Sequence, residues 1–305
     1  MNSAHSSPPR QEKRGEGRWL WPAFAVPGLT WLVLLFLVPF YAILSVAMGR
    51  LDPIFGAAIP EWNPLKWDAS SFGQVLNNTT IQVFGRTCGF IAAAGVLSLL
   101  IGYPVAYYIS RHGGRFKTAL LVLLIAPFWI SYLMRMLAWV NLLQDDGYVN
   151  RALMFLQILD RPKSWLAGES LTVILGLVYG YVPFLILPLY GALDRIDKRL
   201  LEAARDLGAS PAMTFRRVTL PLSRQGILAG SVIILLPMFG DYYTQDLLSN
   251  VPSTTMTGNQ IAFYLTAQSG GNRGAALVIL LSVAVSVLMI YYLITVARAT
   301  REASR

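Results

Sequence analysis

Six long apolar runs are the feature that most limits what this 305-residue chain can fold into. They lie at about 21–48, 80–110, 118–142, 171–193, 225–248 and 274–297. Each is long enough for an α-helix to cross the hydrocarbon core of a bilayer, which takes about 20 residues. The first run exceeds the apolar part of a signal peptide, which is about 7–15 residues. The runs therefore predict an all-α integral membrane protein with six transmembrane helices.

The composition agrees with lipid as the surrounding solvent. Hydrophobic residues make up 55% of the chain and charged residues only 13%, whereas a soluble domain carries roughly 25% charged residues. The net charge of +9 comes from Lys and Arg in short segments between the apolar runs. That pattern is typical of membrane topology signals rather than of a nucleic-acid-binding surface. We therefore expect contact with membrane lipid and no nucleic-acid partner.

The distribution of basic residues predicts the orientation of the chain. Six spans place both termini on one side, and that side collects 17 of the 25 Lys and Arg, against 5 in the opposite loops. Cytoplasmic loops are enriched in basic residues, so we expect a multi-pass protein of the inner (cytoplasmic) membrane with both termini cytoplasmic. Residues 1–18 are then a disordered cytoplasmic tail, 19–297 the six-span domain, and 298–305 a second cytoplasmic tail.

The loop at 194–224, between the fourth and fifth runs, is far richer in charge than the rest of the chain. Residues 198–207 are mostly strong helix formers, and Gly208 follows where a helix end favours a residue that reaches positive φ. Ser210 can cap a second helix that has proline at its first position. We expect this helix to end at residues 220–221, because proline interrupts the backbone hydrogen-bond ladder. The loop is thus predicted to form a helix-turn-helix.

The same loop carries a family resemblance. Seven residues match the spacing EAA-xxx-G-x9-[IV]-x-LP: Glu202, Ala203, Ala204, Gly208, Val218, Leu220 and Pro221. In this the loop resembles that of the permease subunits of ABC importers. In that family the loop is a cytoplasmic coupling helix that docks on a separate ATPase. The resemblance therefore implies that these seven residues form the ATPase-coupling surface.

The resemblance also implies partners: a second permease subunit, two ATP-binding subunits and an extracytoplasmic solute-binding protein. The chain contains no G-x-x-x-x-G-K-[ST] pattern, so it lacks a P-loop for ATP. We expect ATP and Mg to bind to the partner ATPase, and we expect this chain to have no cofactor, no catalytic residue and no ATPase site of its own. With one cysteine and two histidines, we also expect no metal site.

Further stretches resemble one branch of the family, the first of the two paired permease subunits of polyamine (spermidine or putrescine) importers. They lie at 99–110, 123–139, 147–160 and 176–210. This resemblance implies a polyamine cargo. Two alternatives remain open: the same kind of importer with an opine, an organic cation or an iron complex as cargo, and an ion-coupled secondary transporter. The second would need coupling carboxylates near the middle of the membrane.

Ionisable residues inside the apolar runs are candidates for the substrate pathway, because they are costly at membrane depth. Asp241 lies about 25 Å along the fifth run at ~1.5 Å per residue. Tyr242 and Asp246 are four residues apart, so they share a helix face that offers an aromatic ring and a carboxylate to an alkylammonium group. We predict a pathway role for these three residues. Arg86 and Arg135 are expected to extend to the outer interface.

Overall fold

The computed structural model describes the backbone of residues 20–303 and the burial of the side chains of residues 24–295. The predicted tail at 1–18 lies outside this range. The α-helices are α1 (Leu20–Ala47), α2 (Ser70–Val75), α3 (Asn78–His112), α4 (Lys117–Ile125), α5 (Tyr132–Leu143), α6 (Tyr148–Phe155), α7 (Ser170–Asp194), α8 (Lys198–Asp206), α9 (Pro211–Thr214), α10 (Leu220–Leu222), α11 (Arg224–Met238), α12 (Tyr243–Leu248), α13 (Thr257–Thr266) and α14 (Gly271–Ala303).

The shorter elements connect these helices. They are the 3₁₀ turns Pro64–Lys66, Gly114–Phe116, Ala126–Trp129 and Pro252–Thr254, a π turn at Phe215–Thr219, and the strands β1 (Arg50–Leu51) and β2 (Ala58–Ile59). The two strands pair antiparallel, with Arg50 opposite Ile59. Since α14 runs to Ala303, the segment predicted as a separate tail from 298 begins as a continuation of the last helix.

Four helices of the described chain are long and apolar enough to cross a membrane: Phe24–Ala47 within α1, then α3, α7, and Gly271–Thr295 within α14. They coincide with the first, second, fourth and sixth apolar runs. The number rises to six if each of two bent helix pairs is counted as one span: Gly114–Trp129 with Tyr132–Leu143, and Pro211–Leu222 with Arg224–Met238. Helix α3 is the longest, at 35 residues or ~52 Å, so it reaches from one face of the protein to the other.

The third and fifth runs are not continuous helices, so the six spans expected from the sequence stay a prediction at these two runs. In the third run, the segment Gly114–Trp129 meets α5 at 89°. Pro127 lies in a 3₁₀ turn and Ile130 is extended, which interrupts the backbone ladder. The fifth run divides into α11 and α12, separated by residues 239–242. Pro237 precedes this break and Gly240 lies within it, and both residues weaken a helix.

The core is formed where α3, α7 and α11 pack together. Small residues allow the close approach: a Cβ added to Gly230 of α11 would lie 2.7 Å from the Leu185 side chain of α7. Helix α1 packs mainly on α14 and leaves most of its apolar surface exposed, as expected for a helix whose surroundings are lipid. The tight α3–α7–α11 bundle fixes the relative positions of the two regions described next.

Candidate functional sites: a charged loop and a buried carboxylate

The first half of the loop at 194–224 is helix α8, closed at both ends by local hydrogen bonds. The Asp197 carboxylate accepts the N–H of Arg199 at 2.9 Å and caps the start. At the other end, Gly208 has φ +85°. The N–H of Gly208 donates to the Arg205 carbonyl at 2.8 Å, and the N–H of Ala209 donates to that of Ala204 at 3.0 Å. This pair of bonds is a Schellman motif, which explains why glycine follows the helix.

The second half of the loop begins at Ser210, whose hydroxyl accepts the N–H of Met213 at 3.2 Å. The helix does not end at residues 220–221 as predicted. It passes through the π turn Phe215–Thr219 and continues as α10 to Leu222. The wider turn displaces the carbonyl that the ring of Pro221 would meet in a regular α-helix, so proline is accommodated within the helix.

Contacts with α3 hold both ends of the loop in place. At its start, Arg111 of α3 donates to the carbonyls of Leu193 and Ile196, at 3.1 and 3.2 Å. A cation is favourable there because the carbonyls at a helix C-terminus are electronegative. At the end of the loop, the hydroxyls of Tyr103 and Ser223 lie 2.8 Å apart. A movement of the loop would therefore be transmitted to α3.

The outer face of α8 has no partner within the described part of the chain. Glu202 and Ala203 are exposed, Ala204 is half-buried, and the Glu202 carboxylate accepts no hydrogen bond from residues 20–303. Leu207 is 90% exposed. A helix that presents an unpaired carboxylate beside an exposed leucine has the features of a surface that docks on another protein. Of the other predicted coupling residues, Val218 is half-buried, and Leu220 and Pro221 are exposed.

The second site lies in the break between α11 and α12, where Asp241 is only 6% exposed. Its carboxylate accepts hydrogen bonds from the hydroxyls of Tyr132 (2.7 Å), Tyr181 (3.2 Å) and Thr244 (2.7 Å), and from the N–H of Thr244 (3.0 Å). These donors come from α5, α7 and α12. Four donors replace the water that a buried carboxylate has lost, and they offset part of its desolvation cost.

Arg135 lies close to Tyr132, one of the donors to Asp241. It is 8% exposed, and its guanidinium carbon lies 4.0 Å from the centre of the Phe128 ring and 5.3 Å from that of Tyr132. Its Nε and Nη1 have no hydrogen-bond acceptor within residues 20–303. The expectation that Arg135 extends to the outer interface is therefore wrong. Stacking on aromatic rings favours a buried guanidinium and explains the inward orientation.

Arg86 is half-buried, and its expected extension to the outer interface stays a prediction. It donates from Nε to the Thr255 carbonyl at 3.0 Å and from Nη1 to the Ser253 carbonyl at 2.7 Å. Arg86 therefore fastens α3 to the segment between α12 and α13. It lies near the start of α3, whereas Arg111, near the end of that helix, contacts the charged loop. The two arginines thus mark opposite faces of the protein.

Asn259 of α13 brings the other two predicted pathway residues together. Its amide donates to the carbonyl of Tyr242 and to the carboxylate of Asp246, both at 2.7 Å. Asp246 is exposed, and the ring of Tyr242 lies 4.1 Å from that of Tyr243. The side chains of Tyr132, Tyr181 and Asn259 were not identified from the sequence. Each is a polar group near or within an apolar segment, which is the only signal that could have drawn attention to them.

Comparison with known proteins assigns this chain to a family. Residues 70–301 match the family described as "Binding-protein-dependent transport system inner membrane component". The chain is 35% identical over 263 residues to the spermidine/putrescine transport system permease protein PotB of Haemophilus influenzae, covering 86% of this chain and 89% of that one. It is 32% identical to PotB of Escherichia coli K12, covering 86% and 92%.

A solved structure supports the same assignment at the level of the fold. The chain superposes with a TM-score of 0.65 and 18% identity on a crystal structure of a bacterial ABC transporter involved in the import of the acidic polysaccharide alginate, covering 92% of this chain and 96% of that one. The helical architecture, the loop motif and the extent of the family match agree with one another. The chain belongs to the inner membrane components of binding-protein-dependent transport systems, and is a multi-pass permease subunit of an ABC importer.

Proposed function

We propose that this chain forms part of the translocation pathway for a polyamine such as spermidine or putrescine. Two relatives named as spermidine/putrescine permeases align over 86% of the chain. The observation that carries the proposal is the buried carboxylate of Asp241. An alkylammonium group that leaves water needs a charged or polar partner inside the protein, and Asp241, with Tyr242 and Asp246 beside it, supplies one.

The loop around Glu202 couples this pathway to ATP hydrolysis on separate subunits. Its exposed face seats on an ATPase, and its anchors on α3 carry the motion of that ATPase into the core. The complex contains a second permease subunit, two ATP-binding subunits and an extracytoplasmic solute-binding protein. ATP and Mg bind to the ATP-binding subunits, and this chain performs no covalent chemistry.

In this proposal the third and fifth apolar runs each cross the membrane as interrupted helices, which gives six spans and places the charged loop and both termini in the cytoplasm. The basic residues gathered near the loop support this orientation. Two exposed positions test it, each changed to cysteine in a Cys88→Ser chain: Leu207 in the loop and Ser253 beyond α12. A membrane-impermeant thiol reagent should label Ser253→Cys from outside and Leu207→Cys only after the membrane is opened. The reverse pattern would overturn the orientation.

The cargo is tested by the stimulation of ATP hydrolysis in the reconstituted complex. We expect the binding protein loaded with spermidine or putrescine to raise the hydrolysis rate above that with the empty binding protein. A complex that is stimulated only by another cargo, such as an opine or an iron complex, would keep the coupling role and reject the polyamine.

A further inference from the structure

A cavity of about 520 Å³ opens at the face of the protein opposite the charged loop. It lies between the first turns of α3, the segment after α12, and α13. Its lining includes Gln82, Arg86, Asp246, Gln260, Phe263 and Tyr264. Arg111, near the other end of α3, contacts the charged loop. Arg86 and Arg111 are 25 residues apart on this helix, so the cavity and the loop are separated by ~38 Å.

The polar groups of this cavity have unused capacity to accept hydrogen bonds. The exposed carboxylate of Asp246 accepts one bond, from Asn259, and no other donor within residues 20–303 reaches it. Gln260 donates from its amide nitrogen to Thr80 Oγ1 at 3.0 Å, while its Oε1 is buried and has no donor among the described residues. A buried acceptor without a donor is costly, and a ligand that donates hydrogen bonds would remove that cost.

The remaining walls fit an alkylammonium chain. Phe263 and Tyr264 offer aromatic surface to methylene groups and to a cation. The one cation of the lining, Arg86, already donates to two backbone carbonyls. With one carboxylate and one guanidinium, the cavity is close to neutral in charge. It would therefore hold a cation weakly, as a site on a transport pathway must if the cargo is to move on.

The cavity adjoins the break that contains Asp241. Asn259 contacts both the Asp246 carboxylate and the carbonyl of Tyr242, the residue after Asp241. Gly258 packs tightly against Asp241 itself, since a Cβ added to Gly258 would lie 2.7 Å from the carbonyl oxygen of Asp241. The start of α13 is thus the thin wall between the cavity and the buried carboxylate.

We infer that this cavity is an outer binding site for one ammonium group of a diamine or polyamine cargo, held by Asp246 and the Oε1 of Gln260 before the cargo reaches Asp241. The inference rests on the proposed polyamine function and adds Gln260, Phe263 and Tyr264 to the pathway. It assigns the ammonium to Asp246 and Gln260, and the methylene chain to the two aromatic rings.

Protection of a cysteine in the cavity tests this assignment on the complex isolated from membranes. Gln82 lines the cavity and is exposed, so Gln82→Cys in a Cys88→Ser chain should react with a thiol reagent. Spermidine at about three times its dissociation constant should slow the reaction ~4-fold by mass action. Gly73→Cys is the matched control, since Gly73 is exposed, has free space for a side chain and lies outside the cavity. Magnesium chloride at equal ionic strength controls for screening.

Two further substitutions in the Gln82→Cys chain identify the acceptors. Asp246→Asn should abolish the protection. Gln260→Glu adds a carboxylate at the unpaired acceptor and should increase the protection at the same spermidine concentration, a gain that misfolding does not produce. If protection persists in Asp246→Asn, or falls in Gln260→Glu, the assignment is wrong.

The outcome separates this inference from the proposed function. A complex that takes up spermidine but shows no protection at Gln82→Cys would reject the outer site and keep the cargo. A complex that takes up no spermidine would reject the cargo itself. If spermidine slows the thiol reaction equally at Gly73→Cys, the slowing is a nonspecific ionic effect. This result would also reject the outer site.

Discussion

The charged loop and the break around Asp241 handle their polar groups in opposite ways. In the loop, Glu202 and Leu207 lie exposed and without partners in the described chain. In the break, the Asp241 carboxylate is buried and receives four hydrogen bonds from three different helices. The two regions also differ in the free space beside a glycine. A Cβ on Gly208 of the loop would meet nothing within 4 Å, whereas one on Gly258 would meet the backbone of Asp241.

This difference corresponds to two different roles. A docking surface has to leave its contact groups unpaired until the partner arrives. A carboxylate inside a membrane protein has to keep its charge satisfied until a cargo can replace its donors. In the proposed function, the loop finds its partner only in the assembled transporter, whereas the hydrogen bonds to Asp241 come from this chain.

Substitutions in the loop are expected to have the largest effect. Glu202→Lys should reduce transport ~100-fold and weaken co-purification of the ATPase, because a reversed charge opposes contact across an interface. Gly208→Val should do the same because a β-branched residue does not adopt φ +85°. Gly208→Asn is the matched control: asparagine tolerates this conformation, so transport should be largely kept. Transport rates equal to the unmodified complex for Glu202→Lys would show that the loop does not couple.

The Asp241→Asn substitution is expected to have the second-largest effect on transport. It keeps the shape of the side chain and removes the charge, so uptake of spermidine should fall at least ~10-fold, about 1.4 kcal/mol, with expression and basal ATP hydrolysis preserved. Asp146→Asn is the control, because Asp146 is an exposed acid in the loop after α5. Equal uptake by the Asp241→Asn and unmodified complexes would remove Asp241 from the pathway.

The packing of the break predicts a smaller effect on stability. Gly258→Ala places a methyl group against the backbone of residues 240 and 241, and overpacking of this kind costs ~1–3 kcal/mol. Gly89→Ala adds the same group to α3 where nothing lies within 4 Å. Thermal unfolding of the purified complex should therefore shift to lower temperature for Gly258→Ala only. A shift of the same size for Gly89→Ala would mean that packing at the break is not responsible.

Removal of the hydroxyl from each tyrosine that contacts Asp241 is expected to change spermidine uptake by slightly different amounts. Tyr132→Phe removes a donor at 2.7 Å and Tyr181→Phe one at 3.2 Å. Since shorter hydrogen bonds to a carboxylate are stronger, uptake should change more for Tyr132→Phe, by ~2–5-fold for a bond of about 0.5–1 kcal/mol. Uptake assays on both variants, corrected for expression, provide the comparison. A larger change for Tyr181→Phe would reverse the assigned order.

The sequence predicted helix α8 and the start of the second helix of the loop because their signals are local. Leu, Ala, Glu and Arg favour α8, Gly208 ends it, and Ser210 caps the next helix, all within a few residues. The break was predicted only in part: Pro237 and Gly240 mark a weak helix, but the two tyrosines that donate to Asp241 are 60 and 109 residues away along the chain. Arg135 was placed wrongly because the sequence did not predict the sharp bend before α5, beyond which the Phe128 ring lies 4.0 Å from its guanidinium carbon.

The uptake of labelled spermidine into vesicles that contain the reconstituted complex tests the central claim most directly. We expect uptake to require ATP on the side of the charged loop and the cargo-loaded binding protein on the other side. It should persist when proton and sodium gradients are collapsed, and Glu202→Lys should reduce it by the same ~100-fold. Uptake that follows an ion gradient without ATP, or no uptake of spermidine by the unmodified complex, would contradict the account.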